Sequence, residues 1–126
     1  MPSVLPQGQP APSDGSLPEQ ARSELSVRPL GIYIHVPFCI TRCGYCDFNT
    51  YTAAELAGER GASRAGYVDA AIHELGLAAR VLGGDAPAVS TIFVGGGTPT
   101  VLPPDDLGRL IAAVHQHFGL APDAEV

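Results

Sequence analysis

Cys39, Cys43 and Cys46 are the only cysteines in this 126-residue chain, and they fall within eight residues at Cys-x3-Cys-x2-Cys spacing. Thiolates are soft ligands for zinc, copper and iron–sulfur clusters. Three of them cannot pair into disulfides without leaving one over, and pairing needs an oxidising compartment. A structural zinc ion takes four ligands. The nearest fourth candidate, His35, lies four residues before Cys39 on an extended stretch, an awkward position. A cubane 4Fe–4S cluster normally takes four thiolates. Three thiolates leave one iron open to a substrate or cofactor, which accounts for the shortfall.

S-adenosylmethionine can chelate such an iron through its amino and carboxylate groups. An electron from the reduced cluster then cleaves the sulfonium to a 5′-deoxyadenosyl radical, chemistry that belongs to the cofactors while the protein positions and shields them. The methionine ammonium needs backbone carbonyls at a strand end free of Cβ atoms. Val94 to Pro99, "VGGGTP", offers such an end. A triple glycine by itself is more often a plain turn. Phe38, Tyr45 and Phe48, interleaved with the cysteines, are candidates for an apolar cover or for ordinary packing. His35 reads as a supporting residue. Arg42 could draw anionic cofactor groups, although a solvated arginine is the safer reading. Asp47 and Asn49 read as turn residues that bond the loop backbone. His73, His115 and His117 receive no function.

The elements that must position these residues are legible in outline. Ile32, Ile34 and Val36 alternate with Tyr33 and His35 in "GIYIHV", the period of a strand, and Pro37 ends it. Residues 53–66 read as a loop with at most one helical turn. From Tyr67, the residues Val68, Ile72, Leu75, Ala79 and Leu82 form a helical stripe closed by Gly83-Gly84. "VSTIFV" is a β-branched strand running into Gly95-Gly96-Gly97. Leu107, Leu110, Ile111, Val114 and Phe118 share one face of a second helix. Asp105 and Asp106 suit its positive end, and Gly119 follows it. A third strand follows at the end. Alternating strands and helices predict parallel pairing through crossovers, with chemistry at the C-terminal strand ends. Both unusual loops leave such ends and should lie side by side.

Composition bounds the rest. The net charge of −6 and a pI near 4.9 argue against a nucleic-acid footprint, which needs clustered Lys and Arg. The start has no basic n-region and no apolar h-region. No run approaches the length of a membrane span. The expected location is therefore cytoplasmic, where thiols stay reduced. Residues 1–29, rich in Pro, Ser and Gly, read as a flexible, disordered leader. Residues 30–126 read as a truncated first part of a larger domain.

From about Gly31 onward, "YIHVPFC", "CITRCGYCDF" and "FVGGGTPTVL" resemble the radical S-adenosylmethionine superfamily. More narrowly, they resemble the branch of oxygen-independent coproporphyrinogen III oxidase and the related heme chaperones. The resemblance implies an α/β fold, the first βα units of a partial (β/α)6 barrel. It implies that Cys39, Cys43 and Cys46 ligate a 4Fe–4S cluster. Tyr33, Tyr45, Gly96, Gly97 and Thr98 would line S-adenosyl-L-methionine, with Gly95 shaping the turn. Oxidases of this family resemble Cys-x3-Cys-x2-Cys-x-Cys, whereas Phe48 stands at the last of those positions here. That departure puts decarboxylase activity in doubt and favours a heme chaperone, with the oxidase as the alternative and a non-catalytic Cys-rich metal module as a lesser one. The implied partners are heme or coproporphyrinogen III in porphyrin metabolism, an electron donor and a heme-accepting protein, with no nucleic acid and no membrane span.

Overall fold

Residues 10, 12–57 and 63–126 are described by a computed structural model of the chain. A six-residue helix α1 (Glu19–Glu24) lies within the Pro-rich leader and buries none of its residues. β1 (Leu30–Val36) follows, then the two-residue strands β2 (Phe38–Cys39) and β3 (Tyr51–Thr52) that flank the cysteine loop. After α2 (Ala53–Leu56) come α3 (Arg64–Leu82), β4 (Val89–Gly96), a 3-10 turn at Pro99–Val101, α4 (Pro104–Phe118) and β5 (Leu120–Glu125).

The segment expected as a loop over 53–66 is partly helical. α2 occupies its start, and α3 begins at Arg64, ahead of Tyr67, because the Ser63 hydroxyl caps it by accepting from the Gly66 N–H at 3.1 Å. Residues 58–62 lie outside the described residues.

β1, β4 and β5 form one parallel sheet in the order β1-β4-β5, with α3 and α4 as the two crossovers. The third strand expected at the end is present. It carries Pro122, which a central strand would not tolerate, and it sits at the sheet edge where its ladder with β4 is irregular. α4 opens on Pro104 with Asp105 and Asp106 in its first turn, and Gly119, at φ +72°, ends it.

Alternation along β1 decides the core. Ile34 and Val36 are buried with Ile92 of β4 against Val68 of α3 and Leu110 and Val114 of α4. Burial of each such side chain contributes about 1.5–3 kcal/mol. The opposite sheet face is open among the described residues: Tyr33 and Phe93, paired across β1 and β4, are 56% and 67% exposed and stack at 6.0 Å. The helices therefore cover one face of the sheet, and among the described residues the other face is uncovered.

Tyr67 fastens α3 to the end of β1. Its hydroxyl donates to the His35 carbonyl at 2.5 Å, and its ring meets Phe38 edge-on at 5.3 Å. Burial raises its pKa above the ordinary tyrosine value, with Glu74 and Tyr33 adding to the shift. Tyr67→Phe keeps the ring contact and orphans the carbonyl, so a loss of about 1 kcal/mol is expected in the denaturant midpoint of the whole protein. An unchanged midpoint would show that water replaces the hydroxyl at no cost.

Candidate metal centre

The cysteine loop is closed at its base before any metal is considered. β2 and β3 pair in parallel, Phe38 with Tyr51 and Cys39 with Thr52, and the Tyr51 N–H donates to the Pro37 carbonyl at 2.7 Å. The three cysteines on this loop are free thiols: Cys39 and Cys46 are half-buried and Cys43 is exposed. A turn links the last two, the Cys46 N–H donating to the Cys43 carbonyl at 3.1 Å. Cys46 Sγ also lies 3.7 Å from the hydroxyl of Thr50, the one buried polar residue of the described core.

The glycine segment is stitched to the same loop, as parallel pairing requires. The Gly97 N–H donates to the Val36 carbonyl at 2.8 Å, and the Thr98 N–H donates to the Phe38 carbonyl at 2.7 Å. Gly95 is still in the ladder, opposite His35. The backbone turns at Gly96, whose φ of +110° disfavours any other residue. A Cβ on Gly96 would also lie 2.6 Å from the Val36 carbonyl oxygen. A Cβ on Gly97 would lie 2.5 Å from the Phe38 carbonyl oxygen and 2.7 Å from Cys39 Sγ. A Cβ-free backbone ridge thus runs directly beside the first thiol.

His35 joins β1 to the far side of the loop. Its Nε2 faces the Asn49 carbonyl at 2.8 Å, and its Nδ1 faces the Tyr33 hydroxyl at 2.9 Å. A carbonyl only accepts, so Nε2 carries the proton. In the neutral ring Nδ1 then accepts from Tyr33. This arrangement makes His35 a support for the loop, in line with its sequence reading, and leaves the oxygen lone pairs of Tyr33 directed elsewhere. The Asn49 side chain accepts from the Tyr51 hydroxyl at 2.6 Å, so it bonds a side chain where a backbone bond was expected.

Arg42 is exposed, as expected, but it is engaged by an ion pair and is not aimed at an open anion site. It donates to Glu55 at 3.0 and 3.1 Å and to the Thr50 carbonyl at 2.5 Å. The Glu55 carboxyl is held down to about 2, first by the Thr52 N–H, then by Arg42 and the Thr52 hydroxyl. The guanidinium pKa is raised chiefly by Glu55, with smaller contributions from Cys46 and Cys39. This arrangement escaped sequence reasoning, although Thr52-x-x-Glu55 carries the Ser/Thr-x-x-Glu signature of a helix start.

The expected apolar cover divides. Phe38 is buried in the core beneath the loop, whereas Tyr45 is 92% and Phe48 64% exposed, as is the neighbouring Ile40. Tyr45 therefore stands at the rim of the loop, Tyr33 on the open sheet face and Thr98 half-buried after the glycines.

Three thiols are a donor set of the kind that iron–sulfur clusters take. Among the described residues no three Cys, His, Asp or Glu side chains converge where one metal ion could sit. A mononuclear zinc site needs such convergence. In a cubane each thiolate binds its own iron, so the sulfurs stay apart around a larger object. All three thiols are free, and Cys39 lies directly beside the glycine ridge. Among the described residues, no helix is long and apolar enough to cross a membrane.

No protein-family model matches the chain. A heme chaperone, HemW, of Mycobacterium tuberculosis is 56% identical over 99 residues, covering 79% of this chain and 24% of that protein. The oxygen-independent coproporphyrinogen III oxidase of Pseudomonas aeruginosa is 35% identical over 95 residues, covering 75% of this chain and 19% of that protein. The solved structure of the Escherichia coli coproporphyrinogen III oxidase HemN, described as a radical SAM enzyme, superposes with a TM-score of 0.67 at 31% identity. It matches 84% of this chain and 23% of that one. The chain spans about a quarter of the length of the curated heme chaperones it matches.

Proposed function

Because the chain belongs to the radical S-adenosylmethionine family, in the branch of heme chaperones and oxygen-independent coproporphyrinogen III oxidases, we propose that it forms the cluster-binding part of a heme chaperone of the coproporphyrinogen-oxidase-like type. Residues 30–126 would be βα units of a partial barrel, preceded by the leader 1–29. Cys39, Cys43 and Cys46 would hold a 4Fe–4S cluster, and the backbone from Gly95 to Thr98, with Tyr33 and Tyr45, would line S-adenosylmethionine. The pair, when bound, supplies reductive cleavage of a sulfonium to a carbon radical.

This chain's own residues do the positioning. The absence of Cβ atoms at Gly96 and Gly97 lets the glycine segment pack directly against Val36, Phe38 and Cys39, which sets the backbone beside the first thiol. The Tyr33–His35–Asn49 bonds hold the loop against β1, and the His35 tautomer fixes the Tyr33 proton on the histidine side. Cytoplasmic residence, an electron donor and a heme-accepting partner belong to the same proposal.

The observation that favours chaperone over oxidase is Phe48. It stands two residues after Cys46, where oxidases of this family resemble a further cysteine, and its exposed ring offers an apolar contact but no thiolate. The oxidase remains the second reading, on the strength of the HemN structural match. The test takes the whole protein, reconstituted without oxygen and supplied with S-adenosylmethionine, reductant and coproporphyrinogen III, and follows loss of carboxyl groups by mass. Heme is titrated into a parallel sample. Saturable heme binding with no decarboxylation is expected. Repeated decarboxylation would make the protein an oxidase.

A further inference from the structure

The entry half of the cysteine loop, Ile40 to Gly44, is exposed throughout. Two backbone bonds within the loop, Cys46 N–H to Cys43 carbonyl and Thr50 N–H to Phe48 carbonyl, fold it on itself without tying it to another element. His35 holds Asn49, near the exit. The residue that ties the entry half down is Arg42, immediately before Cys43. Its Nη2 reaches both the Thr50 carbonyl and the Glu55 carboxylate. Glu55 is itself fixed, accepting from the Thr52 N–H at 2.7 Å and from the Thr52 hydroxyl at 3.0 Å at the start of α2. Thr50 is buried, and its hydroxyl lies against Cys46 Sγ. One guanidinium therefore connects the backbone next to Cys43 with the residue that contacts Cys46.

We infer that the Arg42–Glu55 pair is a clasp that positions the cysteine loop, holding Cys43 at a fixed offset from Cys39 and Cys46 so that a cluster is captured and retained. This rests on the proposed cluster reading. The pair is part-exposed, with side chains 37% and 44% accessible, and ion pairs of that kind add little to global stability. Its effect is local, on a loop segment with few other restraints. All of these contacts leave one nitrogen, Nη2, at the end of the long arginine stem; a lysine ammonium sits on a shorter, more flexible stem and would hold them less firmly. Arg42 and Glu55 are positioning residues, since neither is a cluster ligand.

The test measures how fast the reconstituted whole protein loses its cluster absorbance to a ferrous chelator, bathophenanthroline, under anaerobic conditions. Arg42→Met and Glu55→Gln are each expected to speed the loss about tenfold, at the lower end of the effect of outer-shell changes on metal sites. The double variant should be no faster than Arg42→Met, because the two residues act as one unit. Arg42→Lys should fall between wild type and Arg42→Met. Added salt should bring wild type toward the variants by screening the pair, while thermal midpoints stay unchanged. Rates equal to wild type, additive effects in the double variant, or midpoints that fall in step with the rates overturn the clasp. If Arg42→Met does not fold, Arg42→Lys and Glu55→Gln carry the same comparison. A wild-type protein that takes up no iron and sulfide overturns the cluster reading and the clasp with it, whereas normal wild-type loading with unaffected variants overturns the clasp alone.

Discussion

Cys43→Ala in the whole protein is expected to reduce bound iron and sulfide to background after anaerobic reconstitution, with the thermal midpoint of the metal-free protein unchanged. Cys43 is the exposed cysteine, so its loss removes no packing and opens no cavity. Only its proposed ligation is withdrawn. Removing an outer-shell partner typically costs 10–100-fold in metal affinity, so removing a direct thiolate should cost more than about 100-fold. Two thiolates would then remain for a cluster built on three. The measurement is iron and sulfide per chain, with the visible absorbance of the cluster as a second readout. Wild-type cluster content in Cys43→Ala would mean that Cys39 and Cys46 recruit another ligand, and His35 would be the first to examine.

Gly97→Ala is expected to be strongly damaging although it adds a single methyl group. The added Cβ would sit 2.5 Å from the Phe38 carbonyl oxygen and 2.7 Å from Cys39 Sγ. Neither neighbour can yield cheaply. The Phe38 carbonyl already accepts from the Thr98 N–H, and the Phe38 ring is buried against Tyr67. The glycine segment and the cysteine loop must therefore separate, straining the Gly97–Val36 and Thr98–Phe38 hydrogen bonds. Overpacking of this kind costs about 1–3 kcal/mol, read from the denaturant midpoint. Cluster content should fall as well, because Cys39 is displaced. Gly108→Ala supplies the control: a Cβ there meets nothing within 4 Å in the middle of α4. Alanine in a helix interior is favoured by about 1 kcal/mol over glycine, so that variant should be as stable as wild type or more so, with full cluster content. Equal behaviour of the two variants would remove the steric account of the glycine ridge.

Periodicity is a local property, and it carried the main elements. Ile32, Ile34 and Val36 identify β1 because a strand with one buried face repeats every two residues, and Leu107, Leu110, Ile111, Val114 and Phe118 identify α4 because a helix repeats every 3.6. Periodicity alone puts the start of α3 at Tyr67, because Arg64, Ala65 and Gly66 carry no apolar stripe. The Ser63 cap sets the boundary instead, and capping is a hydrogen bond rather than a pattern. The family resemblance assigns the turn to Gly95, whereas the positive φ falls at Gly96, the last residue of the β1–β4 ladder, a position that only strand register determines.

The sequence by itself determined which residues are proposed as ligands. Three cysteines within eight residues are a candidate donor set whatever the fold. The "VGGGTP" at Val94 to Pro99 marks a strand end without Cβ atoms. Only the tertiary structure decided which polar side chains serve that set. Arg42 meets Glu55 across thirteen residues, His35 meets Asn49 across fourteen, and Phe93 meets Tyr33 across sixty. Such partners are chosen by where the chain returns in space, which strand pairing and crossovers decide and residue spacing does not encode. Phe38 shows the same limit. Its place beside Cys39 suggested a cover for the metal, but alternation turned its ring into the core, where Tyr67 of α3 was waiting for it.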